Sequence, residues 1–202
     1  MMGELQSGDK VLTVDAATGT TRFEHVYLFG HRDPAVQVNN MVTLHLDVNK
    51  SLTLTPDHFV PVLRTHGAWW QRVMKRAKDV EVGEFVFAVD AVNGSVVGAQ
   101  VSSVAQNVSA AGMYNPFTRA GLIVVDGVIA SEYSEWIFDG VLPARWIPAA
   151  YHMIQMPLAR LIYPVAPEVL GALSEHLSFG WHGWPAFLRA FSSAVRVHLL
   201  ST

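Results

Sequence analysis

A mainly β fold with two copies of one β unit is what this sequence predicts, on three observations: short stretches alternating apolar with polar residues, glycine-bearing turn dipeptides between apolar runs, and an internal repeat. Val42, Leu44 and Leu46 alternate with Thr43, His45 and Asp47, and Leu52 and Leu54 alternate with Ser51, Thr53 and Thr55. A period of two puts the apolar side chains on one face of a strand and the polar ones on the other. Asn93-Gly94 and Asp126-Gly127 lie between apolar runs, and such dipeptides accept the positive φ angles of a two-residue hairpin. The repeat aligns Gly8-Asp9-Lys10-Val11-Leu12-Thr13-Val14-Asp15-Ala16-Ala17-Thr18-Gly19 with Gly83-Glu84-Phe85-Val86-Phe87-Ala88-Val89-Asp90-Ala91-Val92-Asn93-Gly94, identical at half the positions. Two similar β subdomains about a pseudo-two-fold axis, with a site where they meet, are expected from it; two unrelated hairpins are the plainer alternative.

With 202 residues, 50% hydrophobic and 15% charged, the chain has enough apolar side chains for one sizeable core. A net charge of −3 and the lack of Lys/Arg clusters exclude a nucleic-acid partner, because phosphate binding needs a concentrated basic surface. Cysteine is absent, so these residues supply no disulfide, thiolate metal site or thiol nucleophile. The stretch Met1 to Lys10 is too polar for a signal peptide, and no run of about 18 uncharged apolar residues follows, so a soluble or peripheral chain is expected. Three N-x-S tripeptides begin at Asn49, Asn93 and Asn107, a pattern too frequent by chance to decide anything.

The β core is expected over 1–138 and a helical, aromatic-rich extension over 139–202. In the latter Pro143, Pro148, Pro157, Pro164 and Pro167 interrupt apolar stretches, which predicts helices broken by prolines. Arg145 and Arg160 exclude an ordinary spanning helix there. Trp146, Trp181 and Trp184 beside aliphatic residues suit a lipid-facing surface, or equally packing against the β core.

Two stretches offer chemistry. Thr55-Pro56-Asp57-His58 follows a predicted strand, where a hydroxyl and an imidazole are held by a rigid element; by itself His58 also reads as an ordinary strand-end histidine. His31 ends the run Leu28-Phe29-Gly30 and is a candidate general base or a solvated turn residue. His25, His31, His45 and His58 fit no compact metal-ligand spacing, so no metal or other cofactor is expected.

Longer motifs carry a resemblance. Gly3 to Val11, Phe23-Glu24-His25-Val26-Tyr27-Leu28-Phe29, Leu52-Thr53-Leu54-Thr55-Pro56-Asp57-His58 and the run Tyr114 to Ser131 resemble, in order and spacing, successive motifs of the Hedgehog C-terminal autoprocessing (Hint) domain. Late in the chain, Gly180-Trp181-His182-Gly183-Trp184 is similar to a further element of that family. The resemblance implies a pseudo-two-fold β module shared with inteins. It implies self-cleavage: a cysteine attacks the preceding peptide carbonyl to give a thioester, and a sterol hydroxyl then displaces it. Thr55 and His58 match the family's pair that binds and protonates the scissile amide. The family's aspartate that activates the sterol falls at His31, which makes hydrolysis or another acceptor an alternative to sterol transfer.

The family's cysteine belongs further upstream of Gly8-Asp9 than Met1 reaches, so a working domain is expected to have an upstream segment, which is also its substrate. The cysteine that follows Ala130-Ser131 in animal members is replaced by Glu132, which reads as a polar substitute or as a new acid or base; Ser131 is a further candidate beside it. The expected function is therefore Hedgehog-type autoprocessing. The alternative is a catalytically inactive module that binds sterol, lipid or protein through its C-terminal region. Family context implies the secretory pathway.

Overall fold

The computed structural model describes residues 2–132; the helical extension expected over 139–202 lies outside the described residues. Ten strands are described: β1 (Lys10–Val14), β2 (Thr21–His25), β3 (Leu28–Leu46), β4 (Ser51–Leu54), β5 (Phe59–Leu63), β6 (Val73–Arg76), β7 (Phe85–Val89), β8 (Val96–Phe117), β9 (Leu122–Val125) and β10 (Val128–Ser131). They form one sheet system in the order β2-β1-β9-β10-β7-β8-β3-β4, with β5 joined to β6 and β7. The chain is thus mainly β, and the pairings show why it is duplicated.

The repeat is visible atom for atom. Gly8 and Gly83 have φ of 94° and 93°, and Gly19 and Gly94 have 73° and 70°, a left-handed region that glycine enters without steric cost. Gly8 N–H donates to Val26 O and Gly83 N–H to Val101 O, while Val26 N–H returns to Asp9 O and Val101 N–H to Glu84 O. Asp15 Oδ1 accepts from the amides of Ala17 and Thr18, as Asp90 Oδ1 does from Val92 and Asn93. In both copies an aspartate side chain stands in for a backbone turn partner and a positive-φ glycine closes the loop. These amides hold both carboxyls below the ordinary aspartate range.

The two halves are interlocked. β1 pairs with β9, and the long strands β3 and β8 run antiparallel to each other from Leu28↔Phe117 to Leu46↔Val101. Each half thereby completes the other's sheet, and a cluster including Leu44, Leu52, Val60, Val86, Ala99 and Val128 is shared between them. Burying a side chain such as Leu44, which is fully inside, contributes roughly 1.5–3 kcal/mol.

Most of the predicted strand faces hold, with one instructive exception. In the pair Val42↔Leu54, Leu44↔Leu52, the apolar residues are buried and His45, Ser51 and Thr53 are exposed, but Thr43 is also buried. Its Oγ1 shares a 2.8 Å hydrogen bond with Thr53 Oγ1 across the strands, which satisfies the hydroxyl locally. Asp126 and Gly127, at φ of 49° and 77°, form the expected two-residue turn between Val125 and Val128. Asn93-Gly94 does not form one: the loop runs from Asp90 to Ser95, because the Asp90 carboxylate captures the amides that a tighter turn would have left free.

A bulge shapes the site. Pairing steps from Phe29↔Pro116 to His31↔Asn115, so Gly30 is the extra residue and two residues oppose one. A Cβ on Gly30 would sit 2.3 Å from Phe117 Cε2 and 3.2 Å from Asn115 Nδ2. Phe117 is almost fully buried and has little room to give. Gly30→Ala is therefore expected to lower stability by about 1–3 kcal/mol, the usual cost of overpacking, read as a fall in the urea midpoint at unchanged slope. An unchanged midpoint would show that Phe117 moves freely.

Candidate active site

Thr55, His58, His31 and Ser131, from three different parts of the fold, line one cleft of about 1030 Å3. Thr55 and His58 enter on the turn after β4, where His58 N–H donates to Thr55 O. That turn is clamped from outside: Ala77 N–H donates to His58 O and Lys78 N–H to Pro56 O, and Lys78 Nζ pairs with Asp57 Oδ1 at 2.5 Å. The Lys78–Asp57 pair is half exposed and adds little stability by itself, but the backbone bonds fix the turn. Among the described residues the Thr55 hydroxyl makes no hydrogen bond, so it is available to a substrate.

His58 is oriented from the opposite side of the cleft. Its Nε2 lies 2.7 Å from the carbonyl oxygen of Ser131 at the end of β10. A carbonyl only accepts, so Nε2 carries the proton and donates, leaving Nδ1 as the nitrogen that exchanges a proton with a substrate. Burial lowers the His58 pKa, and the Ser131 carbonyl opposes this only in part. The ring is therefore neutral at pH 7. Once protonated it is a stronger acid than an ordinary imidazolium. Ser131 itself is buried, with its Oγ donating to Phe59 O at 2.8 Å, so its hydroxyl serves the junction of β10 and β5 while its carbonyl serves His58.

His31 sits on the β3 side of the cleft, placed by the Gly30 bulge. It is half-buried; burial pulls its pKa down and the nearby Asp33 carboxylate pulls it back up. The net result is a neutral imidazole at pH 7, competent as a base. Asp33 also lines the cleft, its Oδ1 accepting from the amides of Ala35 and Val36.

Glu132 does not line the cleft. It is 1% exposed, its Oε1 accepts from both the amide (2.7 Å) and the hydroxyl (2.5 Å) of Thr118, and its Oε2 has no partner. Desolvation raises its pKa well above the ordinary glutamate value of 4.5, and the nearby Glu24 adds to the rise. Its Thr118 bonds anchor the loop before β9, with Glu24 Oε2 holding the Ala120 amide of the same loop. His25 and His45 lie outside the cleft lining. His25 Nδ1 donates to Gly8 O at 2.6 Å and His45 faces outward on β3, and among the described residues no three potential metal ligands converge.

Sequence reasoning did not foresee the carbonyl of Ser131 as the partner of His58, nor the presence of Asp33 and Asn115 in the cleft. A backbone oxygen has no residue signature, and single polar residues in a strand give none either.

This duplicated, interlocked sheet with a cleft between its halves is matched by one family model, described as the Hint module, over residues 1–156. The chain belongs to the Hint family. Among relatives of the Hint module described here, the hedgehog protein of Drosophila melanogaster is 32% identical over 191 residues, which covers 90% of this chain and 38% of that protein. Protein qua-1 of Caenorhabditis elegans is 31% identical over 144 residues, covering 66% of this chain and 12% of its own length. The Hint module thus spans well under half of these relatives. Among solved structures, an Ssp DnaB mini-intein superposes with a TM-score of 0.51 at 9% identity, covering 64% of this chain and 81% of that one, a likeness of fold alone.

Proposed function

We propose that this Hint module drives an intramolecular acyl shift that cuts the peptide bond ahead of an upstream cysteine, followed by transfer of the acyl group to a sterol or to water. The observation that carries the proposal is the convergence of Thr55, His58 and His31 on one cleft, with His58 held through Nε2 by the Ser131 carbonyl. Met2 lies in the same cleft, so residues joined ahead of it would be delivered between the two walls. The 202 residues contain no cysteine, so the thiol belongs to that upstream segment.

In the first step the thiol sulfur attacks the carbonyl carbon and its proton passes to Nδ1 of His58. The C–N bond then breaks and His58 gives the proton to the leaving nitrogen, so that sulfur has exchanged places with nitrogen and no proton is gained or lost. Thr55 holds the scissile amide through its free hydroxyl. In the second step neutral His31 takes the proton of the acceptor hydroxyl as its oxygen attacks the thioester. A cleft of about 1030 Å3 is large enough for a small-molecule alcohol as well as the acyl group. A second reading, an inactive module that binds sterol or lipid, is favoured by the absence of cysteine from these residues.

The deciding experiment joins a reporter peptide ending in cysteine, through a native-length linker, ahead of Met1. Release of the reporter, accelerated by dithiothreitol, supports the acyl shift. An intact precursor after prolonged incubation with thiol and with sterol refutes it in favour of the inactive reading. His31→Ala is expected to leave dithiothreitol-induced release unchanged while slowing release without thiol by on the order of 10²-fold, the usual contribution of a general base. Equal loss in both assays would make His31 structural.

A further inference from the structure

Asn115 is largely buried but lines the cleft, and its carboxamide makes no hydrogen bond among the described residues. It lies on β8 directly opposite His31, so their Cβ atoms are about 4.5–5.5 Å apart on one face of the ribbon. Its Nδ2 lies over Gly30, at a position open only because the bulge residue has no side chain: a Cβ there would be 3.2 Å away. No bond within the described chain commits this amide, so its donors are open to whatever occupies the cleft. An uncommitted amide fixed on a strand beside a candidate base, in a cleft, is what a preorganised hydrogen-bond donor requires.

We propose that Asn115 is a further substrate-contacting residue, whose Nδ2–H donates to the acyl carbonyl oxygen during transfer to the hydroxyl acceptor. This rests on the acyl-transfer reading above. The acceptor oxygen adds to the thioester carbon, its proton goes to His31, and the carbonyl electron pair moves onto the oxygen that faces Asn115. The pair then returns, the C–S bond breaks, and His31 passes its proton to the departing sulfur. The charge that develops on oxygen is met by a donor already in place, across the ribbon from the base, so the two residues serve opposite ends of one addition.

Two variants test this in two measurements. Asn115→Ala removes the amide; Asn115→Asp keeps the shape and replaces the donor by acceptor oxygens. In the reporter-cysteine precursor both should slow transfer by about 10²- to 10³-fold, the range for loss of one oxyanion donor, while the thioester still forms. In the 202-residue chain Asn115→Ala should leave the melting temperature unchanged or raise it by about 2–4 °C, because no bond is lost. A melting temperature lowered by more than about 4 °C shows that the amide is structural and overturns the proposal. Transfer at the native rate in a precursor that cleaves overturns it as well, and leaves the acyl-transfer reading standing. A native precursor that never cleaves overturns that reading first and the Asn115 role with it.

Discussion

In the reporter-cysteine precursor, His58→Ala lowers the rate of thioester formation by on the order of 10²-fold or more, as expected when the group that relays a proton from sulfur to nitrogen is removed. The amide nitrogen is a poor leaving group unless protonated, so the loss falls on the first step and added dithiothreitol does not restore release. The effect is specific to the ring because the turn is held by backbone bonds, His58 N–H to Thr55 O and Ala77 N–H to His58 O, which the substitution retains. The pH profile adds a second check. With its pKa lowered by burial, native His58 stays neutral down to a pH below 6.5, so thioester formation should be flat around neutrality and fall only in acid. Unchanged cleavage in His58→Ala, or a rate that falls already at pH 7, would remove His58 from the mechanism.

The second large effect concerns stability. Glu132→Gln should leave stability unchanged at pH 4 and raise it progressively at higher pH relative to the native chain. Oε1 accepts both bonds from Thr118, so the protonated acid carries its proton on Oε2, where nothing competes for it. The folded-state pKa is raised above the unfolded value near 4.5, so above that pH the unfolded chain sheds a proton that the folded chain keeps. Stability from this site is therefore fully present below pH 4.5 and is lost as pH rises towards the folded pKa, at about 1.4 kcal/mol per pH unit. Glutamine copies the neutral acid and has no proton to lose. Urea titrations of both chains between pH 4 and 8 measure the difference; a constant difference would mean that Glu132 is ionised and paired. Because Glu132 follows Ser131, whose carbonyl holds His58, the same device places the end of β10 at the cleft.

What the sequence determined by itself was local and periodic. The repeat from Gly8 to Gly19 and from Gly83 to Gly94 announced the duplication, because an acid, a positive-φ glycine and an alternating strand between them are a self-contained structural instruction. The Asp126-Gly127 turn and the buried faces at Val42, Leu44, Leu52 and Leu54 followed from turn chemistry and a period of two. The stretch from Thr55 to His58 stood out because a hydroxyl and an imidazole ended a predicted strand.

Tertiary structure alone decided how the two halves meet. That β3 pairs with β8 of the other half, as well as with β4 of its own, brings Asn115 opposite His31, and the closure of β10 against β5 brings the Ser131 carbonyl to His58 across 73 residues of chain. The burial that raises the Glu132 pKa and the placing of Asn115 in the cleft wall arise from the same interlocking. Hydrogen-bond partners, dielectric surroundings and cavities depend on which distant segments pack together, and neither propensity nor spacing along the chain encodes that, because it is the summed burial of both halves that selects the pairing.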